Sequence, residues 1–207
     1  MKKIAMLLAM LLCLVPVLSA CGAQSSAEGV VEAALQARYE DFDYETLQKI
    51  DYKCNKELFT ELLDSGEVLD ELKKDIEDER EEIKTNLKSY KKTAEAAEDY
   101  SVTYEIRYCN VYDEDDDAFD VILKKSEFSE EGFGDVKDAI DQVARVRVIG
   151  EIIFENEDGL RMISNIAEIY TCYRIDGDWY IDWENASSDV DSVEVGVDLG
   201  DLGSLLG

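Results

Sequence analysis

The stretch Tyr100-Ser101-Val102-Thr103-Tyr104-Glu105-Ile106-Arg107-Tyr108-Cys109 is where the hydrophobic period of this 207-residue chain drops from helical to two. Val102, Tyr104, Ile106 and Tyr108 alternate with Thr103, Glu105, Arg107 and Cys109, which predicts a strand with one buried face. Downstream, Val146, Val148, Ile152 and Phe154 mark a second strand, with Gly150 as its expected bulge. Asn156-Glu157-Asp158-Gly159 is a turn signal. A third strand runs to Ile175, and Asp176-Gly177 turns the chain into a fourth whose inward residues are Trp179, Ile181 and Trp183. Ala118–Lys125 and Asp135–Val143 read as short helices or irregular crossovers.

Upstream of Tyr100 the period is helical. Val30, Val31, Ala34 and Leu35 line one side of a first helix ending near Tyr39. Asp43 is placed to cap a second, whose apolar side is Tyr44, Leu47 and Ile50. Glu57 to Leu63 predicts another short helical piece, closed by Ser65-Gly66. From Glu67, the residues Leu69, Leu72, Ile76, Ile83, Leu87, Tyr90, Ala94 and Ala97 recur at steps of three, four or seven, the signature of one long amphipathic helix. Its middle, Glu77–Glu82, has no apolar residue, so a kink or break is expected there. Three clean heptads are lacking, which favours packing on the chain's own sheet over a coiled coil with a partner. Helices followed by a meander of strands define an α+β fold: N-terminal helices, one of them long, on one face of a curved antiparallel sheet of about four strands.

This order is similar to the nuclear-transport-factor-2-like, or cystatin-like, superfamily. The resemblance rests on Tyr39-Glu40-Asp41-Phe42-Asp43-Tyr44-Glu45-Thr46-Leu47 between the early helices and on the closing hairpin Tyr173-Arg174-Ile175-Asp176-Gly177-Asp178-Trp179-Tyr180-Ile181-Asp182. It implies a cone-like body with a pocket at its mouth. Tyr104, Tyr108, Tyr173, Trp179 and Trp183 are the candidate lining for a small hydrophobic ligand; as plain core residues they would cover the helices instead.

At the N-terminus Lys2 and Lys3 precede an apolar run from Ile4 to Leu18, too short for a comfortable membrane span. Leu18-Ser19-Ala20-Cys21 resembles the lipobox of bacterial lipoproteins. That resemblance implies cleavage before Cys21 and a diacylglyceryl group on its thiol, with acyl chains enough for stable membrane attachment. The expected organisation is a signal peptide over 1–20, a lipidated Cys21 and short polar tether over 21–28, the α+β body over 29–185, and a disordered acidic tail over 186–207. The location implied is the bacterial cell envelope, outside the cytoplasm.

The whole chain has 21 Lys and Arg against 49 Asp and Glu, a formal net charge of −28. Such a charge opposes binding to nucleic acid or to anionic lipid heads. The absence of histidine excludes Ser-His-Asp and Cys-His nucleophile systems. No Gly-rich phosphate loop is present. The acids from Asp113 to Asp117 fit the first positions of a calcium loop, but Ala118 stands where a Gly is needed and Lys124 where a bidentate Glu is needed. No metal or cofactor is implied. Of the five cysteines, Cys13 lies in the signal and Cys21 takes lipid; Cys54, Cys109 and Cys172 remain. Cys109 and Cys172 are assigned to the more polar sheet face, a placement that admits a cross-strand disulfide.

Ketosteroid isomerase, a member of the cone superfamily, works with a carboxylate base and a Tyr-acid pair inside its pocket. By strict alternation Ile169, Thr171 and Tyr173 join the apolar face here, and Glu105, Glu151, Glu155, Glu168, Asp178 and Asp182 fall on the opposite one. Carboxylates facing outward favour a non-enzymatic binding or interaction module, with ligand or protein as partner, over an isomerase- or hydrolase-like enzyme. A structural envelope subunit docking through the long helix is the third expectation.

Overall fold

The computed structural model describes residues 20–55, 57–58, 68–126, 139–156 and 159–188. In chain order these form α1 (Ala20–Ala23), α2 (Ala27–Leu35), a π-helical turn (Gln36–Glu40), α3 (Tyr44–Ile50), α4 (Val68–Ala96), β1 (Asp99–Asp113), α5 (Asp117–Lys125), β2 (Ile140–Glu155), β3 (Arg161–Ile175) and β4 (Asp178–Ser188). The strands pair antiparallel in sequential order, β1-β2-β3-β4, in one open sheet. The arrangement is α+β, as the change of period implies.

Helix starts follow local chemistry. The Ser26 hydroxyl accepts from Gly29 N–H at 3.0 Å and caps α2; the Asp43 carboxylate accepts from Glu45 N–H at 2.9 Å and caps α3. The apolar sides of both helices then meet the sheet. Val30, Val31, Ala34, Leu35 and Ile50 are fully buried against Val146, Val148, Tyr170, Cys172 and Ile181. Leu87 of α4 joins this core, with Ile83 and Tyr90 half-buried beside it. Burying side chains of this size contributes roughly 1.5–3 kcal/mol each.

The sheet is covered on its other face too. Phe119 and Leu123 of α5, with Tyr52 and Leu58, pack on Ile140, Val143, Tyr173 and Ile175. The expectation of helices on one face only is therefore corrected. Of the apolar residues of α5, Phe119 and Leu123, one turn apart, are buried in this core while Val121 stays exposed, and a helix this short does not reveal along the chain which sheet face it covers.

Three strand assignments change. No register shift occurs at Gly150; it lies between Ile106 and Tyr108. Gly150 is instead required by close approach, because an added Cβ would stand 2.2 Å from the Thr103 carbonyl oxygen and 2.9 Å from Tyr104 Cα. On β3 the face is reversed: Val146 is opposite Tyr170 and Ala144 opposite Cys172, so even-numbered residues meet the helices and Tyr173 meets α5. Ile140–Val143, read as part of a crossover, belongs to β2.

At the ends of the body, residues expected to be tether are packed. Ala23 and Ala27 are buried, and Trp179 N–H donates to the Gln24 carbonyl at 2.9 Å. At the other end β4 continues to Ser188, with Ser187 opposite Ile169 and Ser188 opposite Glu168, past the expected boundary at 185. α4 stays helical through Glu77–Glu82, where a break was expected. Arg80 there is buried and donates through Nε to the Lys53 carbonyl at 2.8 Å, and Lys53 Nζ lies 3.7 Å from Glu79. This polar stretch packs through charge, which is why no apolar residue marks it. The signal peptide up to residue 19, most of the Glu57–Leu63 piece, residues 135–138 and the tail from 189 lie outside the described residues.

Candidate functional site

The π turn after α2 decides how the aromatic residues meet. Asp41 N–H donates to the Gln36 carbonyl at 2.9 Å, and Asp43 N–H to the Ala37 carbonyl at 2.8 Å. Phe42 takes a left-handed conformation at φ 54° before α3 starts. Single π turns of this kind recur at functional sites, because the extra residue re-aims the side chains around it. Here it aims Arg38 and Tyr39 at β4. The Arg38 guanidinium lies 4.2 Å from the centre of the Trp183 ring. The Tyr39 ring lies 6.1 Å from Trp183 and meets Tyr90 of α4 edge-on at 5.5 Å.

The sheet supplies the other half. Tyr170 is fully buried, with its ring 5.0 Å from Trp183. Its hydroxyl donates to Glu168 Oε2, and the Tyr100 hydroxyl donates to the Tyr39 carbonyl. Burial holds the Tyr170 phenol well above its ordinary pKa, and the Glu168 carboxylate adds to this through its charge and its hydrogen bond. Burial likewise raises Tyr39 against the opposing Arg38 charge, with Glu168 adding to the rise. Tyr100 and Tyr104 are both pushed up to about 12, chiefly by burial and secondarily by neighbours that include Glu40. All four phenols are therefore neutral at physiological pH.

The five predicted lining residues do not form one pocket. Tyr104, Trp179 and Trp183 lie on the helix-covered face. Tyr108 and Tyr173 lie on the opposite one: the bulge after Ile106 turns Tyr108 over, and the β3 register places Tyr173 under α5, edge-on to Tyr52 at 5.6 Å. By the same register Glu168 faces the helices opposite Val148, which corrects its assignment to the outer face. Tyr39, Tyr90, Tyr100 and Tyr170 join the aromatic cluster without having been predicted to. The loose Tyr39–Leu47 motif pointed towards Tyr39, and the apolar period of the long helix towards Tyr90.

Two further carboxylates are buried. Asp182 is on the face opposite the main core, as alternation implies, yet only 1 % exposed because α5 and the 51–54 turn cover that end. The Tyr173 hydroxyl donates to its Oδ2 at 3.4 Å. Asp51 accepts from Lys53 and Cys54 N–H at 3.0 Å each, and from Trp183 N–H at 3.4 Å where β4 leaves the regular ladder. Burial pushes Asp51 up to about 7, helped by the Asp182 charge and opposed by the turn N–H groups and Lys53.

Cys109 and Cys172 are free thiols, and Cys54 is a fully buried thiol. Cys109 and Cys172 share the helix-covered face rather than a polar one, opposite Val146 and Ala144 respectively. β2 runs between them, two strand spacings of about 4.8 Å each, beyond the reach of a disulfide. Within the Asp113–Asp117 run, Asp116 Oδ2 accepts from Asp113 N–H at 3.0 Å, and Asp117 and Asp120 sit in the first turn of α5, which suits its dipole. Among the described residues no group of three or more Cys, Asp or Glu is placed to hold a metal ion.

An open hollow of about 620 Å³ lies across β1, β2 and β3, lined by Tyr104, Glu105, Ile149, Glu151, Asn165 and Ala167 among others. Comparison with protein-family models, with curated proteins and with solved structures finds no match for this chain.

Proposed function

We propose that this chain is a lipid-anchored, extracytoplasmic binding module of the bacterial envelope rather than an enzyme. Cys21 is its membrane attachment, and a small hydrophobic ligand or a protein is its partner. The observation that carries the binding reading is the state of the helix-covered face. The space a catalytic pocket would need is filled by Leu35, Ile50, Val146 and Val148, all 0 % exposed. The Tyr170 hydroxyl, the phenol that stands beside a carboxylate on this face, is already donating to Glu168. A phenol engaged in this way has no proton left to offer a developing oxyanion. Recognition then falls to the half-exposed aromatic rim around Trp183 and to the open hollow on the sheet. The lipobox order of Lys2, Lys3, the apolar run and Leu18-Ser19-Ala20-Cys21 supports the anchor. No helix among the described residues is long and apolar enough to cross a membrane.

Growth with an alkyne-tagged fatty acid tests the anchor: the chain is expected to be labelled and to sediment with membranes. Labelling that survives Cys21→Ala refutes it. One observation favours the isomerase-like reading, the carboxylate of Glu168 beside Tyr170 on the helix-covered face. Turnover of a β,γ-unsaturated ketosteroid that is lost in Glu168→Gln would establish that reading and overturn the non-enzymatic one.

A further inference from the structure

β3 is paired with β2 along its whole length, from Arg161 opposite Glu155 to Ile175 opposite Ile140. On its other edge β4 covers it only from Glu168 to Ile175. Among the described residues nothing pairs with that edge over Arg161–Ala167. In an antiparallel strand every second residue turns its N–H and C=O away from a given neighbour, so this edge presents a row of backbone donors and acceptors. The flanking side chains are apolar and open to solvent: Leu160 is 72 % exposed, Met162 55 % and Ile163 47 %. Leu160–Ala167 also carries no acid and one base, Arg161, in a chain of net charge −28. An apolar, acid-free sheet edge invites a strand.

We propose that the occupant is the chain's own segment 189–195, added to β3 as a continuation of β4. The register is already set, because Ser187 is opposite Ile169 and Ser188 opposite Glu168. Extending it by one residue at a time puts Val190 opposite Ile166, Val193 opposite Ile163 and Val195 opposite Arg161. The segment follows β4 directly, so no loop has to be closed and the strand is supplied at high effective concentration. Val193, Val195, Val197 and Leu199 alternate with Glu194, Gly196 and Asp198, the period of a strand, and valine is favoured in one. Residues 189–207 contain five acids and no base, which complements Arg161 and the acid-free edge. A second copy fits less well, since two bodies of this charge repel each other. The addition uses the mode by which extended peptides dock on sheet edges, here within one chain.

The test is amide hydrogen exchange on the full chain, compared with full-length Val193→Pro, which removes an N–H from the added strand and leaves the body's core untouched. The outward amides of Arg161–Ala167 are expected to be protected in the natural chain and to exchange at least about tenfold faster in the variant. A second measurement uses the full-length double variant Ile163→Cys and Val193→Cys. Directly opposed Cβ atoms in a sheet lie about 5 Å apart, so a disulfide between the two is expected on mild oxidation, and none between Ile163→Cys and Leu205→Cys. Fast exchange in the natural chain, protection unchanged by Val193→Pro, or a cross-link indifferent to register overturns the proposal. Protection that rises with protein concentration also overturns it, and assigns the edge to a second copy.

Discussion

Replacing Asp51 with Asn tests whether a buried carboxylate sets the pH dependence of folding. In the native chain Asp51 titrates at about 7 because burial disfavours its anion; in the unfolded chain it titrates near 3.9. Between those values the native state holds a proton that the unfolded state has released. Stability contributed by Asp51 is therefore complete below about pH 4 and is lost as pH rises through 7. At 1.36 kcal/mol per unit of pKa, the loss between pH 5 and pH 8 is about 2–3 kcal/mol. Urea unfolding of both chains at pH 5 and pH 8 reads this directly. The natural chain is expected to lose that much more than Asp51→Asn across the window. Groups remote from Asp51 titrate alike in both chains and cancel, so the difference reads Asp51 together with its coupling to Asp182 and Lys53. The variant carries a constant penalty from its amide N–H₂, since Asp51 Oδ2 accepts from Trp183 N–H and a donor in that place opposes another donor. If the two chains lose equal stability between pH 5 and pH 8, a raised Asp51 is refuted.

Gly150→Ala is expected to destabilise by about 1–3 kcal/mol in urea unfolding, because its Cβ meets β1 backbone that has no rotamer to move. Asp43→Ala removes the acceptor for Glu45 N–H and the partner of the Thr46 hydroxyl, and is expected to cost about 1 kcal/mol; a change within error removes the assigned cap. Alkylation of denatured, unreduced chain followed by peptide mass mapping is expected to modify Cys54, Cys109 and Cys172 alike. Protection of Cys109 and Cys172 together would revive the disulfide that the strand order excludes.

The aromatic cluster was half legible in the sequence. Trp179 and Trp183 were assigned to the core face by alternation, and that is where they lie. Alternation failed for Tyr108 and Tyr173 for two different reasons. A bulge adds one residue to β1 and reverses every side chain beyond it, and no residue near Arg107 announces it. On β3, Ile169, Tyr170, Thr171, Cys172 and Tyr173 form a run with no polar beat. When both faces are covered, apolarity on each of them erases the period that a one-sided strand would show. Glu168 and Asp182 were both read as outward. Glu168 faces the helices because of the same register, and Asp182 is buried because α5 and the 51–54 turn cover the far face.

What the residues determined by themselves is local: where helical period gives way to strand period, where Ser26 and Asp43 start helices, where Asp176-Gly177 turns the chain, and how much negative charge the body carries. These depend on backbone preference and side-chain spacing within a few residues, so they can be read along the chain. Only the tertiary structure decided which face of β3 meets α2, that the 51–54 turn closes over β4, and that Asp51 and Asp182 are buried near one another. Those outcomes depend on strand register and on packing between segments far apart in sequence. A one-residue change in pairing moves a whole strand face from core to solvent, and no local pattern encodes that choice.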